Sequence, residues 1–343
     1  MHIPENYLSP STCAVMAAAM VPVWAHAVKK VNNEMPKDKI PLIGVGAAFS
    51  FLGMMFNVPL IGGTTGHAVG GTLVALLFGP DAACLAVSVA LLLQAVIFGD
   101  GGILSFGANC FNIAFMLPYL GYAIYKIIVK LSGGEKAKNI IHYVAAAIGS
   151  YIGLNAAALF TGIEFGIQPL LFTDEAGNAL YCPYDLSVSI PAMTIPHLAV
   201  AGFVEAAFTV AIYAFVKKTS PSLIYNANEL QNKNISKKGK TPIFALISLL
   251  IVATPLGLLA AGSAWGEWSS EEIAKVTENG TILGYTPKGI QNGWSLSALI
   301  SDYSLAGVNE KIAYILSAII GVSLLIIIFK LIAIPMKGKN NDS

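Results

Sequence analysis

Long apolar runs separated by short polar connections dominate this chain. A helix needs about 20 apolar residues to cross a bilayer, and eight runs reach or approach that length. They cover residues 11–28, 40–56, 83–99, 109–129, 139–162, 194–216, 242–262 and 311–335. A ninth, shorter run at 67–79 begins in a glycine-rich stretch and ends at Gly79-Pro80-Asp81. The pattern predicts an all-α, polytopic integral membrane protein.

The positions of the lysines bear on the ninth run. Basic residues accumulate in cytoplasmic loops. With nine crossings and the N-terminus outside, 17 of the 20 lysines fall in inner loops, leaving Lys275, Lys288 and Lys311 outside. Without the short run, every later loop would change sides and the lysines would be divided between the two faces. We therefore predict about nine transmembrane helices and an external N-terminus.

A polar segment rich in lysine and asparagine divides the chain into two predicted units. Residues 1–218 hold seven of the predicted helices, and residues 219–241 form a cytoplasmic linker. Residues 242–337 form a two-helix unit with a long outer loop at 263–310, which is rich in acidic and aromatic side chains. The simplest interpretation of this second unit is an accessory module.

Composition excludes several classes of function. Charged residues make up 11% of the 343-residue chain and hydrophobic residues 55%, whereas about a quarter of a soluble domain is charged. The net charge of +1 offers no basic face for nucleic acid. The chain contains no GxxxxGK[ST] phosphate loop, no HExxH motif and no evident nucleophile–histidine pairing. We therefore expect lipid but no nucleic acid as a partner, and no enzymatic activity.

The first two residues carry three nitrogen donors in succession. The α-amine of Met1, the backbone nitrogen of His2 and the His2 imidazole can close on one ion as two fused chelate rings. A deprotonated amide lies in its peptide plane and draws these donors towards one plane, with the fourth corner open to a neutral imidazole such as His67. A planar nitrogen site favours Ni(II), Cu(II) or Co(II) over Mg(II), Ca(II) or structural Zn(II). The alternatives are a frayed terminus and a histidine that merely caps or packs at a helix start.

Polar amides and glycines accompany these candidate ligands. Gln94 and Asn109 lie at the outer ends of two predicted spans, where they are expected to donate hydrogen bonds that hold the terminal segment or His67. Simple hydrogen bonding between helices is the alternative. The glycines before His67 are expected to bend the backbone and let it approach the inserted terminus, or else to form a plain turn. They are Gly62, Gly63 and Gly66.

Four other ionisable residues are not expected to be metal ligands. His197 and Glu205 are eight residues apart on one predicted span, which favours a helix contact or an interface with a partner subunit over a second metal site. Asp100 and Glu5 are interpreted as solvated carboxylates at the outer mouth, where they could also attract cations.

Several of these segments resemble the substrate-binding components of cobalt and nickel energy-coupling-factor transporters of the CbiM/NikM type. They are the start from Met1 to Glu5, the glycine-rich run that ends at His67, and the stretch 94–109. The stretch 254–268 is similar to the N-type accessory component of these systems. One departure is Asn6, which stands where many relatives have glycine and could alter how the terminal segment bends.

The resemblance implies a seven-helix substrate-binding unit in a prokaryotic cell membrane, docked on a transmembrane coupling subunit and two ATPase subunits. It implies that the terminal segment inserts so that Met1, His2 and His67 enclose one Co(II) or Ni(II), as a transported ligand rather than a cofactor. The alternative is an ion-gradient-coupled metal carrier, for which Glu205 is the only candidate carboxylate at mid-membrane. A metal-sensing receptor would need a signalling domain, which the sequence does not show.

Overall fold

The computed structural model describes residues 1–37, 39–225, 237–260, 262–278 and 281–337, and it is built almost entirely of α-helices. The helices are α1 (Pro10–Glu34), α2 (Ile40–Met55), α3 (Gly71–Phe78), α4 (Pro80–Leu93), α5 (Phe106–Asn109), α6 (Leu117–Leu131), α7 (Asn139–Gly166), α8 (Gln168–Leu171), α9 (Leu186–Pro196), α10 (Gly202–Thr219), α11 (Lys237–Ala253), α12 (Lys288–Asn292) and α13 (Glu310–Lys337). Two antiparallel hairpins add β1 (Asn57–Pro59) with β2 (Thr65–His67), and β3 (Thr277–Glu278) with β4 (Thr281–Ile282). The predicted all-α class is confirmed. Much of the predicted linker 219–241 lies outside the described residues.

The described part of the chain contains seven helical stretches that are long and apolar enough to cross a bilayer. They are Pro10–Glu34, Pro80–Phe98, Phe106–Leu131, Asn139–Leu171, Leu186–Thr219, Thr241–Leu259 and Glu310–Ile334. A shorter apolar helix, α2, has 16 residues. The protein is therefore a multi-pass membrane protein, while the count of nine crossings and the external N-terminus stay predictions.

The short ninth run forms α3, a helix of 8 residues, which at 1.5 Å per residue is only about 12 Å long. It cannot cross a bilayer alone. Its C-terminal end nevertheless reaches the place where α1 ends and α2 begins, because Phe78 and Asp81 line one cavity of about 290 Å³ with Glu34 and Leu42. Its N-terminal end follows strand β2, which carries His67, and a short loop. Between His67 and Phe78 the chain is therefore partly loop and partly helix.

The apolar α2 lies at the centre of the structure, as expected of a helix that is hydrophobic on all sides. The final helix α13 packs along it without a gap: a Cβ added to Gly44 would lie 3.1 Å from the Ile326 Cα. The Tyr314 hydroxyl donates a hydrogen bond to the Met55 carbonyl at 3.0 Å. These contacts attach the C-terminal unit firmly to the core of the first unit.

Three spans widen locally into π-helix. These turns are Gln94–Phe98, Cys110–Met116 and His197–Ala201. Each begins at, or directly after, a polar side chain: Gln94, Asn109 or His197. Single π-helical turns inside α-helices occur frequently at functional sites, and all three polar residues lie close to the N-terminal segment or its contacts.

Candidate metal centre

The N-terminal segment is buried inside the protein. Met1 is 4% exposed, His2 3% and Ile3 0%. Asn109 holds this segment through both groups of its amide: Oδ1 accepts from the Ile3 N–H at 2.7 Å, and Nδ2 donates to the Ile3 carbonyl at 3.0 Å. The Gly102 amide donates to the same carbonyl at 2.8 Å. Two bonds from the Asn109 side chain and one main-chain bond from Gly102 thus hold the backbone of Ile3 in place.

The loop that receives the segment fits it without spare room. A Cβ added to Gly102 would lie 2.7 Å from the Glu5 nitrogen and 2.8 Å from the Pro4 carbonyl carbon. The Ser105 hydroxyl donates to the Pro4 carbonyl at 3.1 Å, and the Glu5 carboxylate accepts from the Ile103 amide at 2.5 Å. Glu5 is therefore a partly buried residue that caps this loop, and its interpretation as a solvated carboxylate is wrong.

The glycines that precede His67 lie in the hairpin between β1 and β2. Gly62 and Gly63 have φ values of 91° and 78° in the hairpin between β1 and β2, a conformation that glycine adopts without strain. A Cβ added to either would meet nothing within 4 Å, and one added to Gly66 would meet Leu60 at 2.6 Å. The expectation that Gly62 and Gly63 approach the inserted terminus is wrong, whereas for Gly66 it stays a prediction. The alternative of a plain turn describes Gly62 and Gly63.

The unusual residue at position 6 has a conformational explanation. Asn6 has φ 65°, in the left-handed region that asparagine tolerates better than most residues other than glycine. Its side-chain amide donates to the Trp294 carbonyl at 2.9 Å. Asparagine therefore permits a bend of the kind that glycine favours, and it adds a contact with the C-terminal unit.

Two imidazole rings meet beside the buried terminus. The rings of His2 and His67 stack with centroids 5.0 Å apart and an interplanar angle of 28°. The Nδ1 atom of His67 lies 3.1 Å from the Ala68 carbonyl oxygen. A proton on Nδ1 satisfies this contact and leaves the Nε2 lone pair available to a metal ion. The hydrogen-bond network thus assigns the tautomer of His67 that a ligand requires.

The terminal amine of Met1 and the imidazole of His2 both face carboxylates. The Met1 ammonium donates to Glu267 Oε1 at 3.0 Å, and His2 Nδ1 lies 2.7 Å from Asp100 Oδ1. Burial acts to raise the pKa of Asp100, but the charge and hydrogen bond of His2 and the Tyr303 hydroxyl outweigh it and hold that pKa below its ordinary value. Asp100 is therefore negatively charged at neutral pH.

Two buried polar atoms around the site, His2 Nε2 and Gln94 Oε1, make no hydrogen bond. A buried polar atom without a partner costs free energy, about 1–3 kcal/mol, and such atoms are uncommon in folded proteins. The structure thus leaves a ring nitrogen unsatisfied next to the second imidazole, in a position where a ligand would relieve the cost.

Gln94 contacts the site through Asp100. Its Nε2 donates to Asp100 Oδ2 at 3.1 Å and to the Tyr303 hydroxyl at 2.9 Å, and that hydroxyl donates to Asp100 Oδ2 at 2.6 Å. The structure places Asn109, but not Gln94, in direct contact with the terminal segment. Asp100, interpreted above as a solvated carboxylate, instead joins His2 to Gln94 and Tyr303.

The loop between α11 and α13 contacts the terminal segment and its surroundings. Besides Glu267 and Tyr303, it supplies the Trp268 carbonyl, which accepts from the Tyr7 hydroxyl at 2.7 Å. The Trp265 amide also donates to Thr64 Oγ1 at 2.7 Å, close to the hairpin that ends at His67. Sequence reasoning missed these contacts; the acidic and aromatic composition of the loop was the only signal that could have indicated them.

His197 and Glu205 are buried, at 5% and 0% exposure. His197 lines a cavity of about 10 Å³ beside Met1, enough for about one water molecule. Glu205 accepts hydrogen bonds from the Val69 and Gly70 amides. The structure therefore supports the internal contact for Glu205 rather than an exposed interface.

Side chains alone do not provide a metal cage here. Among the described residues, no group of three or more His, Cys, Asp or Glu side chains is arranged to hold a metal ion. The four cysteines are buried and are not joined in disulfides. A metal bound at His2 and His67 must therefore take its remaining ligands from elsewhere, and the terminal amine and the His2 backbone nitrogen are suitable donors.

Comparison with known proteins gives a consistent result. Residues 2–223 match the CbiM family, described as the cobalt uptake substrate-specific transmembrane region, and residues 239–337 match the PDGLE domain. The chain is 47% identical over 332 residues to the probable fused nickel transport protein LarMN of Lactiplantibacillus plantarum, covering 96% of this chain and 97% of that protein. It is 42% identical over 337 residues to the fused nickel transport protein NikMN of Rhodobacter capsulatus, covering 95% of each.

One solved structure is similar to about two thirds of the chain. It is described as a truncated transition metal transporter, is 53% identical in sequence, and aligns with a TM-score of 0.59 over 64% of this chain and 99% of that chain.

Proposed function

Because the chain belongs to the CbiM family and carries a PDGLE domain at its C-terminal side, we propose that it captures Ni(II) or Co(II) for an ATP-driven importer. The ion is held in one plane by the Met1 amine, the His2 backbone nitrogen, the His2 imidazole and the His67 imidazole. A transmembrane coupling subunit and two ATPase subunits supply the energy. Relatives that are named as nickel transport proteins support the choice of cargo.

One observation carries this proposal: two stacked imidazoles lie beside a buried N-terminal amine. The first residues of a chain are usually poorly ordered, and burying an ammonium group is costly unless it is paired. Here Met1 is 4% exposed and its ammonium is paired with Glu267. Because burying the terminus beside His2 and His67 costs free energy, the arrangement is well explained if the terminus binds a ligand.

Binding in this mode requires a local rearrangement. The chelate ring from the His2 backbone nitrogen to its own imidazole closes through Nδ1, the nearer ring nitrogen, which now lies 2.7 Å from Asp100. Rotation of the ring about its Cβ–Cγ bond exchanges the positions of Nδ1 and Cδ2 and moves Nε2 to the Asp100 side. The ammonium must also leave Glu267 and lose its proton. Metal uptake on this mechanism replaces hydrogen bonds to carboxylates by metal–nitrogen bonds.

The test is nickel binding to full-length protein with altered ligands. One extra residue before Met1 converts the amine into an amide, and His67→Ala removes the fourth donor. Both changes should abolish tight nickel binding in calorimetry and leave the melting temperature near that of the wild type. His142→Ala is the control, because His142 bonds to Tyr125 within another part of the bundle. Tight binding by the extended protein would remove the amine from the ligand set.

The expectation that Glu205 is the only candidate carboxylate for a carrier is wrong, because Glu164 is also buried within a candidate span. The contacts of Glu205 itself do not support the carrier alternative. A carboxylate that exchanges protons or sodium with a transported ion must be reachable, whereas Glu205 is 0% exposed and accepts hydrogen bonds from two backbone amides. Metal uptake into membrane vesicles with and without the ATPase partners, under a collapsed ion gradient, separates the two mechanisms. Uptake that persists without the ATPases and stops with the gradient would favour the carrier.

A further inference from the structure

A chain of hydrogen bonds leads from His67 to a buried carboxylate. Glu205, on α10, is 0% exposed. Its Oε2 accepts from the Val69 N–H at 2.7 Å and from the Gly70 N–H at 2.9 Å, and its Oε1 accepts from the Gly70 N–H at 3.1 Å. Both amides belong to the loop between His67 and α3. A carboxylate from a distant helix therefore holds the backbone directly behind a proposed ligand.

One peptide group links this carboxylate to the imidazole. The Ala68 carbonyl faces His67 Nδ1 at 3.1 Å, and the N–H of the same peptide group is the Val69 amide that donates to Glu205. A trans peptide is planar and rigid, with its C=O and N–H pointing in opposite directions. Fixing the N–H against Glu205 therefore fixes the direction of the carbonyl, which in turn orients the His67 ring.

We propose that Glu205 is a positioning residue for His67 and acts through the Ala68–Val69 peptide; this inference rests on the proposed function. Histidines that bind metals usually donate their other ring N–H to a carboxylate or carbonyl, which sets their tautomer and raises their basicity. Here a carboxylate polarises the peptide whose carbonyl receives that N–H, and hydrogen bonds in such a chain strengthen one another. Glu205 thereby holds His67 Nε2 towards the ion and improves it as a donor.

The contacts distinguish this role from simple capping of α3. The helix begins at Gly71 and has no side-chain cap of its own, so the bond from Gly70 to Glu205 also serves its N-terminus. The shortest bond, however, goes to Val69, one residue further from the helix and on the peptide that faces His67. A cap alone would not require that contact. Metal binding separates the two roles, because a cap affects stability whereas a positioning residue also affects the ligand.

The experiment compares Glu205→Gln with wild type in the full-length, detergent-solubilised protein. Nickel affinity is measured by calorimetry, and the ligand field by the visible absorption band of the bound ion. Loss of a partner that orients a metal-binding histidine typically costs about 10–100-fold in metal affinity, and we expect a loss in that range with a shifted absorption band. The matched control is Glu164→Gln, another buried membrane carboxylate, which accepts from Asn112 at 2.7 Å. The control should change neither affinity nor the band.

Glu205→Asp provides a second variant if the glutamine protein does not fold, since it keeps the carboxyl group but shortens the side chain by one methylene. Folded Glu205 variants with wild-type affinity and an unchanged band would overturn the inference. If neither variant folds, nitrogen-15 NMR of histidine-labelled wild type decides: a proton on His67 Nδ1 supports the link, and a proton on Nε2 overturns it. A wild-type protein that binds neither nickel nor cobalt would instead contradict the proposed function.

Discussion

Replacing Asn109 by leucine removes the clamp on the N-terminal segment and keeps a side chain of similar size. The variant loses the bond from the Ile3 N–H to Oδ1 at 2.7 Å and the bond from Nδ2 to the Ile3 carbonyl at 3.0 Å. The carbonyl still receives the Gly102 amide at 2.8 Å, but the Ile3 N–H loses its acceptor in a position that is 0% exposed. The inserted segment should therefore be destabilised.

The size of the effect follows from these two bonds. A buried donor without an acceptor costs about 1–3 kcal/mol, and the lost bond at the carbonyl adds about 0.5–1.5 kcal/mol. A total of about 1.5–4.5 kcal/mol corresponds to a factor on the order of 10 to 2,000 in an equilibrium constant. This factor applies to the equilibrium between the inserted and the displaced terminal segment. It is an upper limit for the loss of nickel affinity, because the affinity falls only in proportion to the fall in the population of inserted segment.

Calorimetry of nickel binding and the rate at which an amine reagent labels Met1 measure the two consequences. Labelling should be slow in the wild type, where Met1 is 4% exposed, and faster in Asn109→Leu. The control is Asn155→Leu, since Asn155 donates only to the Tyr151 carbonyl one turn earlier in α7, at 2.7 Å. If Asn109→Leu shows wild-type affinity and wild-type labelling, the amide does not hold the segment and the reasoning fails.

Three further predictions concern the surroundings of the donors. Gly102→Ala places a Cβ 2.7 Å from the Glu5 nitrogen, so it should displace the terminal segment and weaken nickel binding at least tenfold; unchanged affinity in a titration would contradict the close fit. Tyr303→Phe removes the hydroxyl that donates to Asp100 at 2.6 Å. Loss of this bond should weaken the free energy of nickel binding by about 0.5–1.5 kcal/mol, which is up to about tenfold in affinity. An unchanged affinity would show that the C-terminal unit does not support His2 through this bond. Nickel binding should strengthen as pH rises and should release protons, because the amine and the amide must deprotonate. Asp100 stays charged throughout, since its pKa is lowered. Calorimetry in buffers of different ionisation enthalpy measures the proton release, and its absence would contradict the prediction.

The apolar runs were sufficient to predict the helical membrane fold, because a span of about 20 apolar residues has few stable alternatives in a bilayer. The run at 67–79 shows the limit of that argument. Its composition suits a transmembrane helix, yet helix begins only at Gly71, after the left-handed Gly70 with φ 70°. Hydropathy predicts burial rather than helix, and residues 68–70 are buried as loop because protein surrounds them. The π-helical turn at Gln94 left no recognisable mark in the pattern either.

The candidate ligands were accessible from sequence because Met1 and His2 are adjacent donors, so their chemistry is local. The partners of these donors were not accessible. Glu267 reaches Met1 across 266 residues, and Tyr303 reaches Asp100 across 203. No local pattern encodes a contact of that separation, and a carboxylate in a polar loop has the same appearance in sequence whether it is solvated or paired. The same reason explains why Asp100 and Glu5 were interpreted as surface groups.

The ion pair between Met1 and Glu267 has a consequence for biosynthesis. Glu267 follows Met1 by 266 positions along the chain, so the ribosome makes the carboxylate long after its partner. Contacts of such separation form late in folding. The ion pair is therefore among the later contacts that the growing chain can form, although one of its two residues is made early.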